Sequence, residues 1–138
     1  MNHDNRFFII SAELAHLGKD ANIKRTATLQ LDLAKAGLAF KKAAGSYGGT
    51  PERSFMVIEY SEPLQSKVMA LAEDYNQESV LRRDVSGASS LIFQDGTEQY
   101  IGEWTPVTSG EALKSDGYTF CDGQFFTTKR FKGAKNGV

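Results

Sequence analysis

Gly45-Ser46-Tyr47-Gly48-Gly49-Thr50-Pro51-Glu52-Arg53-Ser54-Phe55 packs glycines, an aromatic hydroxyl and a carboxylate between two apolar segments. Its glycines and proline let a backbone come close to a ligand or take dihedrals closed to other residues, while Tyr47 and Glu52 add two polar groups of different character. It reads as a binding loop. The alternative is a wide hairpin connection whose Tyr47 and Glu52 simply face solvent.

The flanks decide the fold. Leu38-Ala39-Phe40-Lys41-Lys42-Ala43 reads as a strand running into the loop, and Ser54-Phe55-Met56-Val57-Ile58-Glu59-Tyr60 as a strand leaving it. A glycine-rich loop between two strands, rather than between a strand and a helix, matches neither the phosphate loop nor the dinucleotide fingerprint.

Upstream, Phe7-Phe8-Ile9-Ile10-Ser11-Ala12 is an almost continuous apolar run with aromatic and β-branched residues, which predicts a strand buried on both faces. Ser11 and Ala12 at its end leave room for a ligand or for a neighbouring backbone. From Asp20 the period becomes helical: Ile23, Ala27, Leu31 and Ala34 form the stripe, Asp20 caps the start, and Gly37 stands where a left-handed C-cap residue belongs. Asn22 and Arg25 share one side of its first turn, near the end that favours anions, either to hold a ligand carboxylate or as an exposed polar pair.

Downstream, Pro63 lies in the first turn of a second helix with the apolar stripe Leu64, Val68, Leu71, Ala72 and Tyr75. Gln77 to Arg83 reads as a fourth strand. Ala88 to Phe93 and Tyr100 to Trp104 flank Asp95-Gly96, and Tyr118 to Cys121 and Gln124 to Thr127 flank Asp122-Gly123, a hairpin signal in both cases. A polar tail covers about 133–138. The order strand, helix, strand, strand, helix, strand predicts a single α+β domain over 1–138: a ferredoxin-like (βαββαβ) antiparallel sheet with two helices on one face and a β-hairpin C-terminal extension. Apolar residues at both strand parities imply that the second face is covered by other subunits, with a cyclic trimer as the expected geometry and ligand sites in its clefts.

Composition narrows the chemistry. At 138 residues, with 41% apolar and 24% charged residues and a formal net charge of −1, the chain suits one folded domain and not a nucleic-acid binder. The local basic excess at Lys129, Arg130, Lys132 and Lys135 reads as a solvated tail. Cys121 is the only cysteine, so an internal disulfide and a multi-thiolate zinc site are excluded, and its expected role is packing. The start, Met1 to Arg6, lacks a signal-type apolar region, and no run approaches the roughly 20 apolar residues of a membrane span, so a cytoplasmic location is expected. His3 and His16 lie in a terminus and a polar loop, which makes a histidine metal site or a Ser-His-Asp triad a poor fit. Glu52 and Glu59 stand too far apart along a strand to share a glycosidic bond. An enzyme built from these residues works without a histidine base, a metal or a cofactor.

Ser11-Ala12 ending the first strand, Asn22 and Arg25 opening the helix, Gly45-x-Tyr47-Gly48, an acidic residue before the third strand, Gln77-x-x-Val80, and Trp104-x-x-Val107-x-x-Gly110 ahead of Tyr118-x-Phe120 together define a pattern. In this order of features the chain resembles the phage-encoded S-adenosylmethionine lyases, formerly called hydrolases. The Glu52-x-Ser54-Phe55 segment is also similar to that of a broader uncharacterised bacterial family. The resemblance implies a ferredoxin-like homotrimer similar to the nitrogen-regulatory PII proteins, binding S-adenosylmethionine between subunits and splitting it into methylthioadenosine and homoserine lactone. It implies that Glu52 and Tyr47 line the site, with Glu59 as a weaker substitute for Glu52. Ser11, Ala12 and Gly48 would hold the amino-acid end, Asn22, Arg25 and Ser54 would contribute further contacts, and Phe55 and Gln77 would lie near adenine or the subunit boundary. Two other functions fit the same features: a non-enzymatic PII-like small-ligand sensor, or a phage protein that inhibits a host enzyme. If phage-encoded, the protein would act in the host cytoplasm against restriction, with no membrane or nucleic-acid partner.

Overall fold

The computed structural model describes residues 6–47 and 51–129. They form β1 (Phe7–Ile10), α1 (Lys19–Lys35), β2 (Phe40–Tyr47), β3 (Glu52–Ile58), α2 (Gln65–Asp74), β4 (Ser79–Arg83), β5 (Ala88–Phe93), β6 (Glu98–Val107), α3 (Ser109–Lys114), β7 (Gly117–Cys121) and β8 (Gln124–Lys129). The strands pair antiparallel in the spatial order β1-β3-β2-β7-β8-β6-β5-β4, and β4 pairs back onto β1 to close the ring.

The fold is therefore an eight-stranded antiparallel barrel with three helices among the described residues, not the expected open ferredoxin-like sheet with two helices on one face. The expectation failed at the second face of the sheet. Phe8, Ile10, Phe55, Val57 and Val80 point outward beneath Leu29 and Leu33 of α1 and Val68 and Ala72 of α2. Phe7, Met56, Ile58 and Leu81 have the opposite parity and meet Leu91, Ile101, Trp104 and Cys121. The second apolar face is thus buried by the chain's own β5 to β8, and the need for a partner chain to cover it disappears. The seam that does this is long-range: Gly45 pairs with Thr119 and Tyr47 with Gly117. A hairpin signal such as Asp122-Gly123 reveals the local turn and says nothing of which strand the hairpin joins.

Local signals explain most element ends. At the C-terminus of α1, Gly37 adopts φ +72°, its N–H donates to Ala34 O at 3.0 Å, and the Leu38 N–H donates to Leu33 O at 3.2 Å, a Schellman closure with Leu33 and Leu38 in one apolar cluster. At its start the N-cap position is Gly18, not Asp20, which falls inside the first turn. The expected α1 stripe also has the wrong phase: Ile23, Ala27, Leu31 and Ala34 are exposed, while Asn22, Leu29 and Leu33 are buried. α2 keeps its expected stripe but begins after Pro63, and the Glu59 carboxylate accepts the Leu64 N–H at its entrance, 2.9 Å away. Helix α3 was not anticipated, although Thr108 and Glu111 spell a capping box: Thr108 Oγ1 accepts the Glu111 N–H at 3.2 Å and Glu111 Oε1 accepts the Thr108 N–H at 3.0 Å.

Candidate functional site

The 45–55 stretch divides between strands. Gly45 to Tyr47 end β2 and Glu52 to Phe55 begin β3, and Gly48 lies outside the described residues. Gly45 must be glycine for a reason internal to the barrel: a Cβ there would stand 2.8 Å from Tyr118 O of β7.

Beneath this stretch a cavity of about 230 Å³ opens into the barrel. Ser11, Glu52, Ser54, Gln77, Ser79 and Thr119 supply its polar wall, and Ile9, Val80, Leu81 and Leu91 its apolar one. Four residues singled out from sequence, Ser11, Glu52, Ser54 and Gln77, thus meet around one space although they come from three segments. Glu59 is at the other end of β3 and is engaged by Leu64. A larger hollow of about 630 Å³ lies against α3 and shares Leu91 with the first, but is lined by none of those four.

The other candidates are placed differently. Ala12 and Phe55 are buried in the cluster under the helices, Phe55 edge-on to Phe40 with ring centres 5.6 Å apart. Tyr47 ends β2, its backbone paired with Gly117. Asn22 and Arg25 are turned to backbone. Asn22 Oδ1 accepts the Leu14 N–H at 2.9 Å and its Nδ2 donates to Leu14 O at 3.0 Å. Arg25 Nε donates to Ala12 O at 2.7 Å, its Nη2 donates to Tyr75 O, and its guanidinium lies 5.5 Å from the Tyr75 ring centre. Gln77 Nε2 donates to Glu13 O at 3.0 Å. The carbonyls of residues 12, 13 and 14 are therefore each fixed by a different side chain, which holds the backbone that follows Ser11 of the cavity wall. Tyr75 is fixed in turn: its hydroxyl donates to Asp32 Oδ2 at 2.5 Å, and burial with that bond holds the phenol proton well above the usual tyrosine range.

Electrostatics single out Glu52. Partial burial of its carboxyl and the negative charge of Glu13 raise its proton affinity above the ordinary glutamate, while a hydrogen bond from Ser11 opposes them. Ser11 has one hydroxyl proton, which the Arg53 carbonyl 3.0 Å away also claims, so that opposition is shared. Glu13 escaped the sequence reading because a lone acidic residue after a strand carries no pattern.

The model of the S-adenosylmethionine lyase family matches residues 8–129. The chain belongs to that family. Comparison with functionally curated proteins returns no match. Membership in the S-adenosylmethionine lyase family makes S-adenosylmethionine the implied substrate and lyase chemistry the implied reaction. No helix among the described residues is long and apolar enough to cross a membrane.

Proposed function

We propose that this lyase splits S-adenosylmethionine into 5′-methylthioadenosine and L-homoserine lactone, and that the cavity beside Glu52 is where the methionine part of the substrate is bent. The observation that carries the reading is a single carboxylate, Glu52, among neutral hydroxyl, amide and apolar groups lining the cavity of a chain matched by this family. The substrate's own carboxylate oxygen forms a bond to its γ-carbon as the carbon–sulfur bond breaks, and the electron pair passes to sulfur to leave a neutral thioether. No proton is transferred and no enzymic nucleophile is consumed. Enforced proximity accounts for the rate, an effect that can reach roughly 7–11 kcal/mol in well-oriented intramolecular reactions. Charges cancel along the path, so a wall poor in water favours it.

Glu52 is assigned to the cationic end of the substrate and Tyr47 to shielding the methionine group. Ser11, Ser54 and Gln77 line the same space, and Asn22 and Arg25 act by fixing the backbone that follows Ser11. About 230 Å³ is small for a whole nucleoside-bearing substrate, since ligand pockets run from about 300 to 1,000 Å³. A neighbouring subunit of a homotrimer supplies the remainder. The exposed apolar stripe of α1, with Ile23 40% and Leu31 60% accessible, supports such an interface. In a phage-infected host, the turnover would remove the methyl donor of restriction and modification enzymes.

The test is to incubate purified protein with S-adenosylmethionine and resolve the products. Methylthioadenosine with homoserine lactone is the expected pair; homoserine formed without the lactone, or no turnover, contradicts the mechanism. Sedimentation analysis should return three chains, and a monomer that turns over substrate would remove the trimer from the proposal.

A further inference from the structure

We propose that Glu13 is a positioning residue for Glu52, fixing the neighbouring Arg53 peptide and placing a second negative charge at the cavity rim. The last backbone pair between β1 and β3 is Ile10 with Phe55, so the first residues of β3 extend beyond the β1 ladder. Two side chains replace the missing strand there. Glu13 Oε2 accepts the Arg53 N–H at 2.6 Å and the Arg53 Nη1 at 3.3 Å, and Ser11 Oγ donates to Arg53 O at 3.0 Å while accepting the Glu13 N–H at 3.0 Å. Both backbone polar groups of Arg53 are taken, and Glu52 precedes it directly. The Glu13 side chain keeps only 12% of its surface accessible, and its own carbonyl is tied to Gln77 of the cavity wall. A clamp of this kind fixes where the adjoining carboxylate starts.

The charges around Glu52 are few. Among the described residues lining the cavity it is the one titratable group: β2 contributes Gly45, β4 Ser79, β5 Leu91 and β7 Thr119. Glu13 approaches from the segment after β1, Arg53 adjoins it on β3 and is bound to Glu13, and Arg25 of α1 is held by Ala12 and Tyr75. Glu13 is thus the anion that Glu52 meets, and it acts in the same direction as burial. Two carboxylates at one rim suit the binding of a ligand that carries both an ammonium and a sulfonium. That last step rests on the function proposed above; the clamp does not.

Two variants separate charge from clamp, with readouts that need no turnover. Glu13→Gln keeps an acceptor and removes the charge, whereas Glu13→Ala removes both. Carboxyl-carbon NMR titration should show Glu52 losing its proton at lower pH in both variants, while Ser11→Ala moves it the other way. Exchange of the Arg53 amide should quicken about tenfold or more in Glu13→Ala, as expected for one lost charge-assisted bond, and much less in Glu13→Gln. An unmoved Glu52 titration in Glu13→Gln overturns the charge role, and unchanged Arg53 exchange in Glu13→Ala overturns the clamp. If the titrations move but wild-type protein cleaves no S-adenosylmethionine, the functional reading fails and this inference stands. If cleavage occurs, the acid limb of its pH profile shifts downward with Glu52 in Glu13→Gln, and a limb that stays in place removes Glu13 from the reaction.

Discussion

Along β1, β3, β4 and β7, the inward positions of the barrel change character between its two ends. On β3, Ile58 and Met56 give way to Ser54 and Glu52; on β1, Phe7 and Ile9 lead to Ser11; on β4, Leu81 to Ser79; on β7, Cys121 to Thr119. Parity is kept throughout, so the same face of the sheet is a packed core at one end and a polar cavity at the other. A core gains from close packing and tolerates no unpaired polar group, whereas a site needs polar groups and room. The switch in polarity at constant parity therefore marks where close packing gives way to a polar cavity.

The apolar end should respond in stability. Phe7 is 3% accessible and meets Trp104 edge-on with ring centres 4.9 Å apart. Phe7→Ala should cost about 3–5 kcal/mol in urea unfolding, with turnover per folded molecule largely kept. A loss of activity without loss of stability would break the division between the two ends.

At the polar end the effect should reverse. Glu52→Gln should lower kcat/KM about 100-fold, the usual scale for losing one preorganised electrostatic group, while the protein stays folded. Steady-state kinetics within a few-fold of wild type would move the site elsewhere.

Between the two ends runs the β2–β7 seam. Gly45→Ala pushes a methyl to within 2.8 Å of Tyr118 O, and the backbones must part. The expected cost is about 1–3 kcal/mol, as for overpacking in a tight interior, together with weaker substrate binding because Gly45 also lines the cavity. Unfolding curves that superimpose on wild type would show that the seam yields freely.

The two ends were not equally legible in the sequence. Strand β5, the second helix's stripe and the Asp-Gly turns depend on local rules; Asp122 and Gly123, for example, both take positive φ, 53° and 76°. Barrel closure depends on register between Gly45 and Thr119, far apart in the chain, and alternating apolar residues look the same whether a neighbour subunit or the chain itself covers them. Helix α1 was misphased for a chemical reason. Its buried face carries Asn22, Arg25 and Thr26, which bond to backbone carbonyls, so a count of apolar residues selects the opposite, exposed face. Around the cavity, Ser11, Glu52, Ser54 and Gln77 could be named as candidates from pattern, but Glu13 could not, because its bond reaches a residue on another strand.

The smallest effect expected is a gain. Glu52 holds its proton more tightly in the folded protein than the ordinary value of 4.5, through burial first and Glu13 second. Well below pH 4.5 both folded and unfolded chains carry the proton there, and the group is neutral in the balance. As pH rises past that value the unfolded chain ionises first, so stability falls until the folded carboxyl has also ionised, and the deficit then persists to neutral pH. Glu52→Gln removes the ionisation, so the variant should melt slightly above wild type at pH 7, and the difference should shrink to nothing as the pH is taken well below 4.5. Thermal melts at several pH values suffice to check it. A variant less stable at pH 7 would mean that the carboxylate is a structural anchor of β3, and the polar end would then have to be counted with the core.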